Sequence, residues 1–189
     1  MAEGTRRSSS RRSTGSATRS RSRSSAPPKQ LTALESKLGE VIGLAMAAQG
    51  ATQRVAKLVD DRELRQTLEQ MGVEAKETEQ RGTQVAGGIN GKKAMIMKKA
   101  RETKQEATSM MSTYLGRDAD ALDGFEFLTM AEAGEVGHWA IVETMNKKAK
   151  VPGLQEVVRW VKPIQKRHFD ATMKGSLALA AEEDPTEPA

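Results

Sequence analysis

Leu31, Leu34, Leu38, Val41, Ala45, Ala48, Thr52, Val55 and Val59 follow one another at alternating spacings of three and four residues. Such residues lie on one side of a 3.6-residue helix, so the run predicts a single amphipathic helix of about 29 residues. An apolar stripe of that length needs partner surfaces of similar length, and the rest of the chain offers helices alone. No segment alternates with the period of two that a half-buried strand requires, and no internal repeat is present. The six aromatic residues (two Trp, one Tyr, three Phe) are few, whereas helix-favouring Ala, Leu, Met, Glu and Lys are plentiful. The expected fold class is all-α, with one domain over 30–181. No apolar run reaches the roughly 20 residues that span a bilayer, so no membrane partner is expected.

The second helix follows after a very short link. Asp60 and Glu63 form a capping-box pattern, and Leu64, Leu68, Met71, Ala75 and Thr78 carry its stripe towards Gly87-Gly88. The short link predicts an antiparallel hairpin. "GGING" then punctuates the chain, with Asn90 a candidate cap. A third helix is predicted from about Lys92 to Leu115, facing inward at Ile96, Ala100, Thr103, Ala107, Met110 and Tyr114. Its basic cluster Lys92, Lys93, Lys98, Lys99 and Arg101 reads as a solvated face. After "GRDADALDG", a fourth helix runs from about Leu122 to Lys148. Pro152-Gly153 resets the chain for a fifth, 154–181, which Pro163 is expected to kink.

Charge is concentrated at one end. Residues 1–30 hold seven Arg and one Lys against one Glu, or +7; the remaining 22 basic and 24 acidic residues make −2. The stretch 1–29 has no Leu, Ile, Val, Phe or Trp, so it cannot bury enough to offset the entropy of ordering and is expected to be a disordered arm. Its Arg6, Arg7, Arg11, Arg12, Arg19, Arg21 and Arg23 suit sequence-independent contacts with nucleic-acid phosphates. A solubilising tail and a weak transit peptide are the competing readings. Residues 182–189 form an acidic, Pro-punctuated tail expected to be flexible. The absence of cysteine excludes disulfides, thiolate metal sites and cysteine nucleophiles. No Gly-rich phosphate loop stands between a strand and a helix. Nor does the N-terminus carry the apolar core of a signal peptide, so the expected location is the cytoplasm.

Two polar pairs interrupt the apolar stripes. The inward register of the fourth helix reads Leu128, Ala131, Glu135, His138, Val142, Met145. That of the fifth reads Leu154, Val158, Val161, Gln165, His168, Thr172, Gly175, Leu179. In each, a carboxylate or amide and a histidine sit at i, i+3, and these are the chain's two histidines. Residues three apart share a helix face, so Glu-x-x-His can offer an oxygen and an imidazole nitrogen to one ion. Ferritin-like bundles build dinuclear iron or manganese sites from two such pairs plus a Glu from each remaining helix. The competing reading needs no metal: Glu135 accepts a hydrogen bond from His168, and Gln165 pairs with His138.

The order of features resembles the YciE/YciF-type ferritin-like stress proteins over roughly 34–181. The resemblance rests on a hairpin whose second helix carries "EAKETEQR", a crossover-like helix opening "GKKAMIMKKARE", then "EVGHWAIVETM", a Gly break and a long last helix. It implies a ferritin-like four-helix bundle with an additional crossover helix. It also implies iron-type ligands, keeping Glu77 and His138 as ligand-like and matching Glu102 in the crossover helix; together with the spaced pairs this makes Glu77, Glu135, His138 and His168 the candidate metal ligands, with Glu74, Glu102 and Gln165 as further candidates. The family's Glu before the histidine is Gly137 here, and its next Glu is Ala140. Gln165 replaces an acid of the last helix, and Gln49 is the one polar candidate in the middle of the first. A dinuclear site needs about four carboxylates, so a ferroxidase is not expected. The expectation is a stress-related protein with a degenerate metal site, either without cofactor or with Fe or Mn; the alternative is a functional iron- or manganese-binding redox protein. Long Ala- and Met-rich helices add the expectation of a homodimer.

Overall fold

The computed structural model describes residues 30–186, so the arm arginines Arg6 to Arg23 and the end of the acidic tail lie outside the described residues. Within them the chain is all-helical: α1 (Ala33–Val55), α2 (Arg62–Gly88), α3 (Lys93–Tyr114), α4 (Ala121–Ala149) and α5 (Leu154–Ala180). None of these helices is long and apolar enough to cross a membrane.

Local chemistry explains the boundaries. Thr32 and Glu35 make a reciprocal capping box at α1, and Asp120 with Asp123 does the same at α4. At α2 the cap is Asp61, whose carboxylate accepts from the Leu64 amide at 2.8 Å; Asp60, the expected cap, is one residue too early. Asn90 does not cap α3, which starts after Lys92 without a side-chain cap. Instead the Lys92 ammonium donates to the Gln30 carbonyl and to Glu35 Oε2 (3.0 Å), tying the start of α3 to the start of α1. The α4–α5 turn passes through Lys150 (φ 53°) and Gly153 (φ 76°), the left-handed region that glycine adopts without penalty. Pro163 lies inside α5, whose helical span continues on both sides of it.

α1 is the central helix, packing against α2, α3 and α4; α4 also packs on α5, and α2 touches both α5 and α3. Three partners bury more of α1 than one stripe, adding Gly39, Ile42 and Gly43 to the expected Leu34, Leu38, Val41 and Ala45. Backbones come closest at the α1–α3 seam. A Cβ on Gly43 would press on the Ala100 carbonyl and lie 2.8 Å from Thr103 Cβ.

Two expected faces are corrected. In α3 the buried residues stop at Ile96, Ala100 and Thr103, while Met110 (59% exposed) and Tyr114 (47%) lie outside, because α1 covers the first half of α3 more fully than the second. In α4 the buried set is Gly124, Phe125, Phe127, Leu128, Glu132, Glu135, Trp139, Val142 and Asn146. The face is rotated so that Trp139 goes in and His138 stays partly out. Burying an indole removes far more apolar area from water than burying an imidazole.

The core divides into two apolar regions. Leu38, Ile42, Trp139, Val142, Val158 and Val161 belong to one, and Val55, Leu68, Met71, Phe125 and Leu128 to the other. Along α2, α4 and α5 the chain passes from one region to the other through a polar layer at Glu74, Glu132–Glu135 and Gln165–His168.

Candidate functional site

The polar layer is built from three helices. α4 contributes Glu132 and Glu135, and α5 contributes Gln165 and His168, each pair at the i, i+3 spacing that places both residues on one face. The helices run in opposite directions, so Glu135 meets Gln165 and Glu132 meets His168. Gln165 Nε2 donates to Glu135 Oε2. His168 Nδ1 lies 3.6 Å from Glu132 Oε2, an ion contact longer than a hydrogen bond. On its other side His168 Nε2 sits 2.6 Å from Glu74 Oε2. Glu74 in turn accepts from Arg167 Nη2 at 2.7 Å and from Gln70 Nε2 at 3.0 Å.

Each charge state has a physical cause. Burial pulls the His168 pKa down, but Glu132 and then Glu74 outweigh it, so the net shift is upward and the imidazolium is favoured. Burial pushes Glu74 up, yet the bonds from Gln70, His168 and Arg167 hold it below the usual carboxylate range. Glu135 is pushed well above that range, first by burial and then by the neighbouring Glu132 charge, which favours its neutral acid form. The layer sets a histidine between two carboxylates, in a setting that favours the imidazolium, beside a carboxyl–amide pair in which the neutral acid is favoured.

The residues singled out from sequence are only partly brought together. Glu135, His168, Gln165 and Glu74 share the layer. Glu77 is 44% exposed and paired with Arg81 on its own helix, and Glu102 is 51% exposed and near Lys98. His138 accepts from or donates to no carboxylate of the layer; its Nδ1 is 2.9 Å from the Gly134 carbonyl oxygen and its Nε2 3.6 Å from Glu40. Neither expected cross-pair forms, since Gln165 bonds Glu135 and His168 takes Glu74 and Glu132. Gln49 on α1 donates to Glu79, outside the layer. Glu132, 3% exposed, was missed. Its signal was the spacing to Glu135 and to Trp139, a second stripe beside the one chosen.

The dinuclear centre implied by the resemblance does not fit this donor set. Both imidazole nitrogens of His168 are taken up by carboxylate oxygens, and Gln165 brings a neutral amide where the motif needs an acid. α1 contributes no carboxylate to the layer. Among the described residues no group of three or more His, Asp and Glu is disposed to hold a metal.

Two openings flank the layer. A shallow hollow of about 370 Å³ lies between α2 and α5, with Glu74, Arg167 and His168 among its lining residues. On the other side an apolar groove of about 260 Å³ runs between α1, α3 and α4, with Glu135 among its lining residues. No protein-family model, curated protein or solved structure matches this chain.

Proposed function

We propose that this chain is a divergent ferritin-like protein of the YciE/YciF stress type, in which a protonated histidine has taken the place of the metal. In this reading α1, α2, α4 and α5 are the four-helix bundle and α3 is the crossover helix. The neighbour relations among the helices support it, because α1–α2–α5–α4 closes into a ring of packed pairs with α3 laid outside on α1. The observation that carries the reading is His168 held between Glu74 and Glu132, three residues from Gln165. The imidazolium supplies the positive charge that buried carboxylates require. The protein then acts without ferroxidase chemistry, as a homodimer in the cytoplasm, and the basic arm contacts nucleic acid through phosphates.

The test is metal analysis of the purified full chain, with melting curves in added Fe²⁺ and Mn²⁺. The expected result is no bound metal and no shift. A ligand at 100 times its dissociation constant stabilises by about 2.7 kcal/mol, a rise that a melting curve detects. Such a rise in the wild type, lost in Glu132→Gln, would replace this reading with the metal-binding one.

A further inference from the structure

Charge is as uneven on the folded body as along the whole chain. From Lys92 to Lys104, the start of α3 holds six basic residues against Glu102, or +5; the other 16 basic and 23 acidic residues of 31–189 make −7. Lys93, Lys98, Arg101 and Lys104 are exposed. At about 100° per residue they fall within roughly 140° of the helix circumference, away from the buried Ile96 and Thr103. Glu102 approaches Lys98 at 3.7 Å, but both are exposed, and such a pair contributes little and leaves the face cationic. The Lys92 ammonium holds the Gln30 carbonyl, so the chain enters the body at the start of this face, directly after its Arg-rich stretch.

We propose that the outward face of α3 binds the phosphate backbone of duplex nucleic acid, continuing on the folded body the contact that the arm makes. It rests on the reading of the arm given above and adds a second surface to it. Lys93 and Lys104 stand about 16 Å apart along the helix axis, the length of about five base pairs, so the four cations match the phosphates of one strand. A single strand fits this face less well, because it is held by stacking on aromatic rings. The one aromatic of α3, Tyr114, stands at the far end of the helix, 5.7 Å from the Phe127 ring. A membrane surface also fits less well. The apolar side of α3 is packed on α1, whereas a helix lying in lipid buries that side in the bilayer.

The test measures duplex DNA binding by the full chain over a range of salt concentrations. The first triple variant is Lys98→Gln, Arg101→Gln, Lys104→Gln. The second, Arg159→Gln, Lys166→Gln, Lys174→Gln, removes the same charge from exposed positions of α5, across the ring from α1. Each neutralised phosphate adds about −0.9 to the slope of log K against log salt. The α3 variant should therefore bind at least about tenfold more weakly near about 0.1 M salt, with a slope shallower by roughly 3. The α5 variant should stay within about threefold of wild type. Lys98→Arg with Lys104→Arg keeps the charge and should bind as wild type does. All these positions are exposed, so the melting temperatures should match. Equal losses in the two triple variants would overturn the proposal, since net charge alone would then account for binding. An α3 variant that binds as wild type would overturn it too, leaving the arm as the contact. Tighter binding to anionic lipid vesicles than to the duplex, lost in the α3 variant, would assign the face to a membrane surface instead. A wild type that binds no duplex would sink this proposal and the role of the arm together.

Discussion

Replacing His168 with Leu removes the side chain that, among the described residues, pairs with Glu132. Glu132 is 3% exposed and its Oε2 has no hydrogen bond, so nothing else in the layer offsets its charge. Glu74 suffers less, because Arg167 and Gln70 still reach it. Stripping one partner from a buried ion pair costs about 3–5 kcal/mol. That is a fifth or more of the stability of most domains, which total about 5–15 kcal/mol. At about 2–4 °C per kcal/mol for a chain of this size, the melting temperature should fall by roughly 6–20 °C. The assay is urea unfolding at pH 6, followed by the far-ultraviolet helical signal, in His168→Leu, Glu132→Leu and the double variant. The double variant leaves no buried charge unpaired, so it should recover most of the loss. A single His168→Leu variant within about 1 kcal/mol of wild type would refute the ion-pair account, as would a double variant no more stable than the single.

Three further outcomes follow from the same geometry. His168 has a folded pKa above the ordinary 6.5, so its contribution is complete below about that pH and is lost as pH rises through the folded value. Glu135 acts in the same sense from its ordinary 4.5 upward, whereas the contribution of Glu74 is lost as pH falls through its lowered value. Melting temperature should therefore decline from pH 6 to 9 in the wild type and decline less in His168→Gln. Gly43→Ala should cost about 1–3 kcal/mol in chemical unfolding by forcing α3 off α1, whereas Gly50→Ala, on the same helix with open space around it, should stabilise by roughly 0.5–1 kcal/mol. Deleting residues 1–28 should weaken duplex DNA binding in filter retention; at about −0.9 per phosphate contact, the eight basic residues of the arm limit its share of the wild-type salt slope to roughly −7, and unchanged affinity would refute the role of the arm.

Helix number, order and boundaries were legible in the sequence to within a few residues, because caps and glycines punctuate strongly periodic segments. The α5 register, from Leu154 to Gly175, was legible for the same reason: its polar and apolar faces are distinct. α4 was not. It carries apolar residues around its whole circumference, with Met130, Val136 and Ile141 exposed, so two neighbouring stripes fit the period equally well. Choosing the stripe that paired Glu135 with His138 left Glu132 out of the site and Trp139 out of the core. Tertiary pairing was also beyond the pattern. Only the folded chain places Glu74 against His168, 94 residues apart, and no single-helix periodicity encodes that.

The uneven coverage of α3 also bears on motion. Its first half is fastened by Ile96, Ala100 and Thr103 and by the close α1 backbone, whereas beyond Thr103 none of its residues is fully buried. Local opening free energy tracks such burial. Amide hydrogen exchange should therefore grow faster along α3 from Ala100 towards Tyr114 while α1 stays protected. This less buried half, held at its far end by Leu115 and by Arg54 on the Leu115 carbonyl, carries Met110 and Met111, two walls of the apolar groove. Amide exchange along that half then reads local opening beside the groove separately from unfolding of the rest of the bundle.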